Sequence, residues 1–154
     1  NLEEVVGRAE NLVNEIDLDR KQIQRLRQEM AGLEFSELLV KASMVNGSAV
    51  LTAILKMADV DTLRQMTDRF RQKFGSGVVV LATVVDGKPA IIANVTEDLV
   101  KRGLHAGDLI KQVAAVVGGS GGGRPNLAQA GGKDPDKLEE ALALVLPLVR
   151  QKIG

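Results

Sequence analysis

The stretch VVVLATVVDGKPAIIANV, residues 78–95, constrains the fold of this chain more than any other. Two nearly continuous, β-branched apolar runs, Val78 to Val85 and Pro89 to Val95, flank the dipeptide Asp86-Gly87. Asp-Gly tolerates the positive φ angles of a type I′ turn, so the two runs fold back on each other as an antiparallel hairpin. Strands that are apolar in both directions belong at the centre of a sheet covered on at least one face. The cover must come from Leu, Val, Ile and Ala, because aromatics make up only 2% of the chain, with three Phe, no Trp and no Tyr. The same scarcity makes an aromatic stacking platform for RNA bases nearly unavailable. Of the three rings, Phe35, Phe70 and Phe74, at least Phe70 reads as core.

Around this hairpin the chain reads as alternating elements. Asn46-Gly47 is a turn signal, and Ala49 to Lys56 is short and apolar enough for a buried strand. Asp59 to Phe74 reads as a helix with Val60, Leu63, Met66 and Phe70 on one face, and Gly75-Ser76-Gly77 ends it. Its cations Arg64, Arg69, Arg71 and Lys73 lie mostly off that stripe and read as a solvated face. Thr96 is placed to N-cap a short helical turn ending at Gly103, and Asp108 to N-cap a helix from Leu109 to Val117. Asp134-Pro135 has the form of an N-cap followed by Pro at the first helical position. That last helix places Leu138, Leu142, Val145, Val149 and Ile153 for burial, and Pro147 should distort it by clashing with the carbonyl of Ala143.

The first segment is the most regular. Leu2, Val5, Ala9, Leu12, Ile16, Asp19, Ile23, Leu26, Met30 and Leu33 follow one another in steps of three and four, and only Asp19 is polar. This is a heptad seam, with Leu12, Ile16, Ile23, Leu26 and Met30 as its candidate contact residues. Acids precede bases along it, as the helix dipole favours. Such a seam needs a partner: a shorter helix formed by Phe35 to Ala42, a second copy of the chain, or sequence upstream. A basic half carrying Arg20, Lys21, Arg25 and Arg27 is also a candidate nucleic-acid contact. The expected class is α+β, a helical arm over residues 1–44 (a long helix plus a shorter one) followed by a globular unit over residues 45–154 with a small mixed sheet carrying helices. The chain opens in mid-helix at Asn1 without a Met and reads as a piece of a longer protein.

Composition narrows the function. The formal net charge is zero, so any nucleic-acid binding must rest on local positive charge. There is no Cys and a single histidine, His105, which leaves no metal site to expect. The Ser residues 43, 48, 76 and 120 have no nucleophile-elbow context, and the acid pairs Glu97-Asp98 and Glu139-Glu140 read as first-turn helix residues. No catalytic residues and no cofactor are expected. No run is long and apolar enough to span a membrane and no signal peptide opens the chain, so a cytoplasmic location is expected.

The remaining feature is GGSGGGRPNLAQAGG, Gly118 to Gly132. It lacks the Lys-Ser/Thr of a phosphate-binding P-loop, and Arg124 stands where a dinucleotide fingerprint needs glycine. Two glycine clusters around an Arg-Pro insert, set between two helices, do not describe a linker either. Glycines expose backbone N–H groups that cradle phosphate, and an Arg adds a fork of donors. From Lys101 to Lys133 five bases, Lys101, Arg102, Lys111, Arg124 and Lys133, face the single acid Asp108. The candidate phosphate-contacting residues are therefore these five with Gly121, Gly122 and Gly123. Gly118, Gly119, Gln129, Gly131 and Gly132 are candidates for a structural role. The alternative is a buried turn at which helices approach the sheet closely.

This loop, taken with the strand, hairpin and helix before it, resembles the DHHA1 domain as it occurs at the C-terminus of alanyl-tRNA synthetases. Every fixed position of the Gly-Gly-x-Gly-Gly-Gly-Arg-Pro-x-x-Ala-Gln-Ala-Gly-Gly pattern is present, and Arg124-Pro125 stands where the related phosphoesterases carry a His. The resemblance is loose over residues 1–44 and close from 45 to 154. It implies a non-catalytic module that binds alanine-specific tRNA at the outer corner of the L, working with the rest of the synthetase chain so that the aminoacylation and editing domains act on one tRNA. It implies no cofactor and no membrane. In some members the module also mediates dimerisation, so a homodimer through the arm is the alternative.

Overall fold

A computed structural model describes all residues from Asn1 to Gly154. The chain forms α1 (Leu2–Leu39), β1 (Ser43–Val45), β2 (Ser48–Ile54), α2 (Val60–Lys73), β3 (Gly77–Val85), β4 (Lys88–Val95), α3 (Glu97–Lys101), α4 (Ala106–Val116), β5 (Ser120–Gly123), β6 (Leu127–Gly131), a 3-10 turn (Pro135–Lys137), α5 (Leu138–Ala143) and α6 (Val145–Ile153). The expected α+β architecture is the one observed.

The hairpin read from residues 78–95 is the centre of a single six-stranded sheet of order β1-β2-β3-β4-β6-β5. Val85 pairs with Lys88 across Asp86-Gly87, whose φ angles of 52° and 74° make the expected turn. β2 and β3 are parallel and joined by α2, whereas every other neighbouring pair is antiparallel. Alternation sends Val78, Val80, Ala82, Ile91, Ala93 and Val95 into a larger core shared with α3 to α6. Val79, Leu81 and Ile92 enter a second core under α2 and the foot of α1. The two central strands are thus apolar on both sides because both sides are covered. Each fully buried aliphatic side chain stabilises by about 1.5–3 kcal/mol relative to exposure.

The arm departs from expectation. It is one helix through Leu39, not a long helix plus a short one. α2 supplies the reason: Arg69 donates to the Gly32 carbonyl at 3.0 Å and to Ser36 Oγ at 2.6 Å, and its guanidinium lies 5.7 Å from the Phe35 ring. Only Ala31, Phe35 and Leu39 of α1 are buried. Higher up, Gln24 donates to Asp59, which also N-caps α2 through the Thr62 amide. The Thr62 hydroxyl, then its amide, hold the Asp59 carboxyl below the usual carboxylate range against the opposing effect of burial. At 100° per residue Leu26 lies about 180° from Phe35, so the heptad seam faces away from the globular body. Leu12, Ile16, Ile23, Leu26 and Met30 are accordingly 47–59% exposed.

Three further boundaries differ from the sequence reading. The segment after Ala42 adds an edge strand, β1, across the Asn46-Gly47 turn. α4 starts at Ala106 with His105 in the capping position, because the Ala106 amide donates to the Pro125 carbonyl; Asp108 is inside the first turn and not a cap. Thr96 stands before α3 without capping it, since its hydroxyl accepts from the Gly77 amide and donates to Asp98. The last helix breaks at Leu144, between Ala143 and Val145, where Pro147 removes the amide that would continue it.

Candidate nucleic-acid interface

α4 ends where Gly118 takes φ 69°: its amide donates to Ala115 O and the Gly119 amide to Ala114 O, a closure that favours glycine. The chain then enters a hairpin. The glycine stretch expected as a loop is strand β5, a tight turn at Arg124-Pro125-Asn126, and strand β6. Ser120 pairs with Gly131, Gly121 with Ala130, Gly122 with Gln129 and Gly123 with Ala128.

The glycines divide by direction. A Cβ at Gly119 would overlap the Gly131 carbonyl, one at Gly121 would overlap Ala130, and one at Gly123 would stand 2.5 Å from Leu127 O. On α4 itself, a Cβ at Gly107 would stand 3.4 Å from Gly123 O, an ordinary contact between helix and strand. At Gly132 a Cβ would meet Val117 Cγ2 at 2.5 Å, whereas Gly131 has ordinary room. Gly122 differs from the others in the strand, since nothing stands within 4 Å of its Cβ position. Because Arg124 N donates to Leu127 O, the antiparallel alternation directs the N–H and C=O groups of Gly121 and Gly123 to the free edge of the sheet.

The turn is pinned at three points. Arg124 N donates to Leu127 O at 2.8 Å, Ala106 N to Pro125 O at 2.7 Å, and Val95 N to Asn126 O at 2.9 Å. The Arg124 side chain projects from this fixed backbone, exposed, with no hydrogen-bond or salt-bridge partner in the chain. The other candidate bases do not gather around it. Arg102 donates to Ile153 O at 3.2 Å, beside Asn46 Nδ2 at 3.0 Å, and so ties α3 to the end of α6. Lys101 and Lys111 are exposed on α3 and on the outer side of α4. Lys133 donates its amide to Val117 O at the opposite end of α4 from Arg124, about 16 Å away along an 11-residue helix. Gln129 is half-buried on the same strand face as Gly122.

Sequence reasoning missed what stands next to the turn. A cavity of about 500 Å³ opens between the end of α2 and the β4–α3 junction, and Asn126 contributes to its wall together with Arg71, Gln72, Phe74 and Glu97. Nothing local in the sequence links residues 71–74 to residue 126. Behind it, Ser76 and Thr96 donate to the two Asp98 oxygens, both at 2.5 Å, and Ser76 also exchanges a hydrogen bond with Ser48. Burial would raise the Asp98 carboxyl, but the Ser76, Thr96 and Leu99 donors outweigh it and hold the group below its ordinary value. His105 Nδ1 lies 3.6 Å from an Asp108 oxygen, both side chains exposed, and no three His, Cys, Asp or Glu residues gather as a metal site. No helix is long and apolar enough to cross a membrane.

The glycine hairpin and every strand of the sheet it completes except the edge strand β1 lie within residues 46–151, which match the model of the DHHA1 domain. The chain belongs to the DHHA1 family. Alanine–tRNA ligase of Acetivibrio thermocellus is 42% identical to this DHHA1 chain over 154 residues, which is 100% of this chain and 18% of the relative. Alanine–tRNA ligase of Bacillus subtilis is 46% identical over 145 residues, 94% of this chain and 16% of the relative. The chain therefore spans less than a fifth of the curated relatives it matches. Among solved structures, the C-Ala domain from Aquifex aeolicus alanyl-tRNA synthetase superimposes with a TM-score of 0.65 at 29% identity, over 71% of this chain and 97% of that one.

Proposed function

We propose that this DHHA1 chain is the non-catalytic, tRNA-binding C-terminal part of an alanyl-tRNA synthetase. It works in the cytoplasm without a cofactor, holds the outer corner of an alanine-specific tRNA, and helps the aminoacylation and editing domains of the rest of the chain act on that tRNA. One observation carries the reading: Arg124 is an unpartnered guanidinium on a turn fixed by three backbone hydrogen bonds, directly after three glycines of strand β5. A pre-positioned fork of donors next to exposed backbone suits a phosphate, and binding through phosphates falls as salt rises. The test is a filter-binding titration with alanine tRNA at low and moderate salt. Arg124→Ala should weaken binding about tenfold and lower the salt slope by about one. No binding at low salt, or an unchanged affinity for Arg124→Ala, would overturn the assignment.

A second reading concerns the arm, and the outward-facing seam favours it. A second copy laid antiparallel brings together positions whose numbers sum to 35: Leu2 with Leu33, Val5 with Met30, Ala9 with Leu26 and Leu12 with Ile23. In that register every apolar seam position faces another apolar one except Ile16, which faces Asp19. The absence of cysteine makes crosslinking clean. Leu12→Cys and Ile23→Cys chains, mixed and oxidised, should join to each other and not to themselves. Self-joining of Leu12→Cys would mean a parallel pair, and no crosslink at all would remove the second copy as the occupant.

A further inference from the structure

The cavity beside the Arg124 turn has the makings of a base pocket. At about 500 Å³ it falls within the roughly 300–1,000 Å³ of small-ligand sites. It is lined by Phe74, which unlike the fully buried Phe35 and Phe70 keeps part of its surface open. The residue takes an extended backbone at the end of α2, φ −112° and ψ 120°, and its ring is braced 5.0 Å from that of Phe70. Lys73 Nζ stands 5.8 Å from the same ring. In a chain with three aromatics, one is thus kept at a polar opening and fixed from behind.

The charges in the wall orient a ligand. Asp68 and Glu97 outnumber Arg71, which stands 3.9 Å from Asp68. A phosphate does not belong inside such a wall, but a neutral base does. Carboxylates accept hydrogen bonds from exocyclic amino groups, and Gln72 and Asn126 offer amides able to donate or accept. Asn126, which contributes to the wall, belongs to the same turn as the exposed Arg124, so the cavity has a free guanidinium two residues from its lining. We propose that this cavity receives one unstacked, amino-bearing nucleobase, laid against Phe74 and read by Glu97, Gln72 and Asn126, with its phosphate at Arg124. The inference rests on the RNA-binding reading above and adds to it a base-specific contact, since phosphate contacts alone carry no sequence information.

The same chemistry is available in a free nucleotide and in RNA, and two measurements separate them. In the first, nucleoside monophosphates are titrated into the full chain and followed by NMR. AMP, CMP and GMP should shift the Phe74 ring and the Gln72 and Asn126 side-chain amides more than UMP, which has no amino group. Equal shifts from all four would overturn the edge readout, and no shifts at these groups up to millimolar nucleotide would overturn the pocket for free nucleotides. In the second, alanine tRNA is titrated against Phe74→Leu and Gln72→Ala. Phe74→Leu should weaken binding about tenfold, in line with the loss of one base-stacking contact. The exposed Gln72→Ala should weaken it about threefold, and it guards against a folding defect in the first variant. If the wild-type chain binds tRNA and both variants bind within twofold of it, the pocket is overturned while the phosphate reading stands. If the wild-type chain binds no tRNA, the phosphate reading itself fails, and the nucleotide titration alone decides the pocket.

Discussion

The sheet contains two long-range-ordered hairpins built on opposite terms. In β3–β4 the side chains do the work: valines, isoleucines and alanines alternate into two cores, and the turn Asp86-Gly87 stands exposed with no bonds beyond its own. In β5–β6 the strands read Ser-Gly-Gly-Gly and Leu-Ala-Gln-Ala-Gly, and their turn is tied by three backbone bonds to α4, β4 and β6. Burial enforces the first hairpin. The second is enforced by backbone pairing and close approach, since β6 and the residue after it come so close to Gly119, Gly121 and Gly123 that no side chain fits. The chain places bulk where two cores must be filled and removes it where two strands approach too closely for side chains.

This contrast can be broken first at its stable end. Ile92 is fully buried, opposite Leu81 on one side and Gln129 on the other. Ile92→Ala should cost about 2–5 kcal/mol in a denaturant unfolding titration, through lost burial and the cavity left behind. A loss under about 1 kcal/mol would mean that the site collapses around the gap and that the central hairpin is not held by packing. The next effect is at the glycine end. Gly119→Ala drives a methyl into the Gly131 carbonyl, which is backbone and cannot rotate away, so about 1–3 kcal/mol should be lost by overpacking. An unchanged midpoint would show that the two strands can part, and the close approach would then not be the reason for glycine.

Legibility in the sequence follows the same division. The central hairpin, the α2 helix and the distortion at Pro147 were readable because each depends on residues adjacent in sequence. Ser120 to Gly123 could not be read as a strand, since glycine disfavours strands and nothing local asks for one. Its extended form is imposed by pairing with β6. Asp108 looked the better helix cap, but the bond from Ala106 to Pro125 O, reaching across from the hairpin, starts α4 at Ala106. The continuation of α1 through Gly32 depends on Arg69, 37 residues away. For the candidate site, Arg124 stood out as part of a motif. Phe74, Gln72 and Glu97 did not, because only the fold brings α2 and the β4–α3 junction to the turn.

The smallest effect is the most informative about function. Gly122 is the one glycine of β5 whose Cβ position meets open space, on the strand face shared with Gln129. Gly122→Ala should therefore leave stability within about 0.5 kcal/mol of the native chain. If the open face at Gly122 meets no ligand, the variant should also bind alanine tRNA as the native chain does. If the bare face is the surface that meets the RNA backbone, one methyl at its centre should weaken binding about two- to fivefold, less than Arg124→Ala because a methyl displaces the phosphate without removing its charge partner. We expect the second result. A neutral Gly122→Ala beside a weakened Arg124→Ala would confine the contact to the turn, and Gly119, Gly121 and Gly123 would then be explained by the closeness of the opposing strand alone.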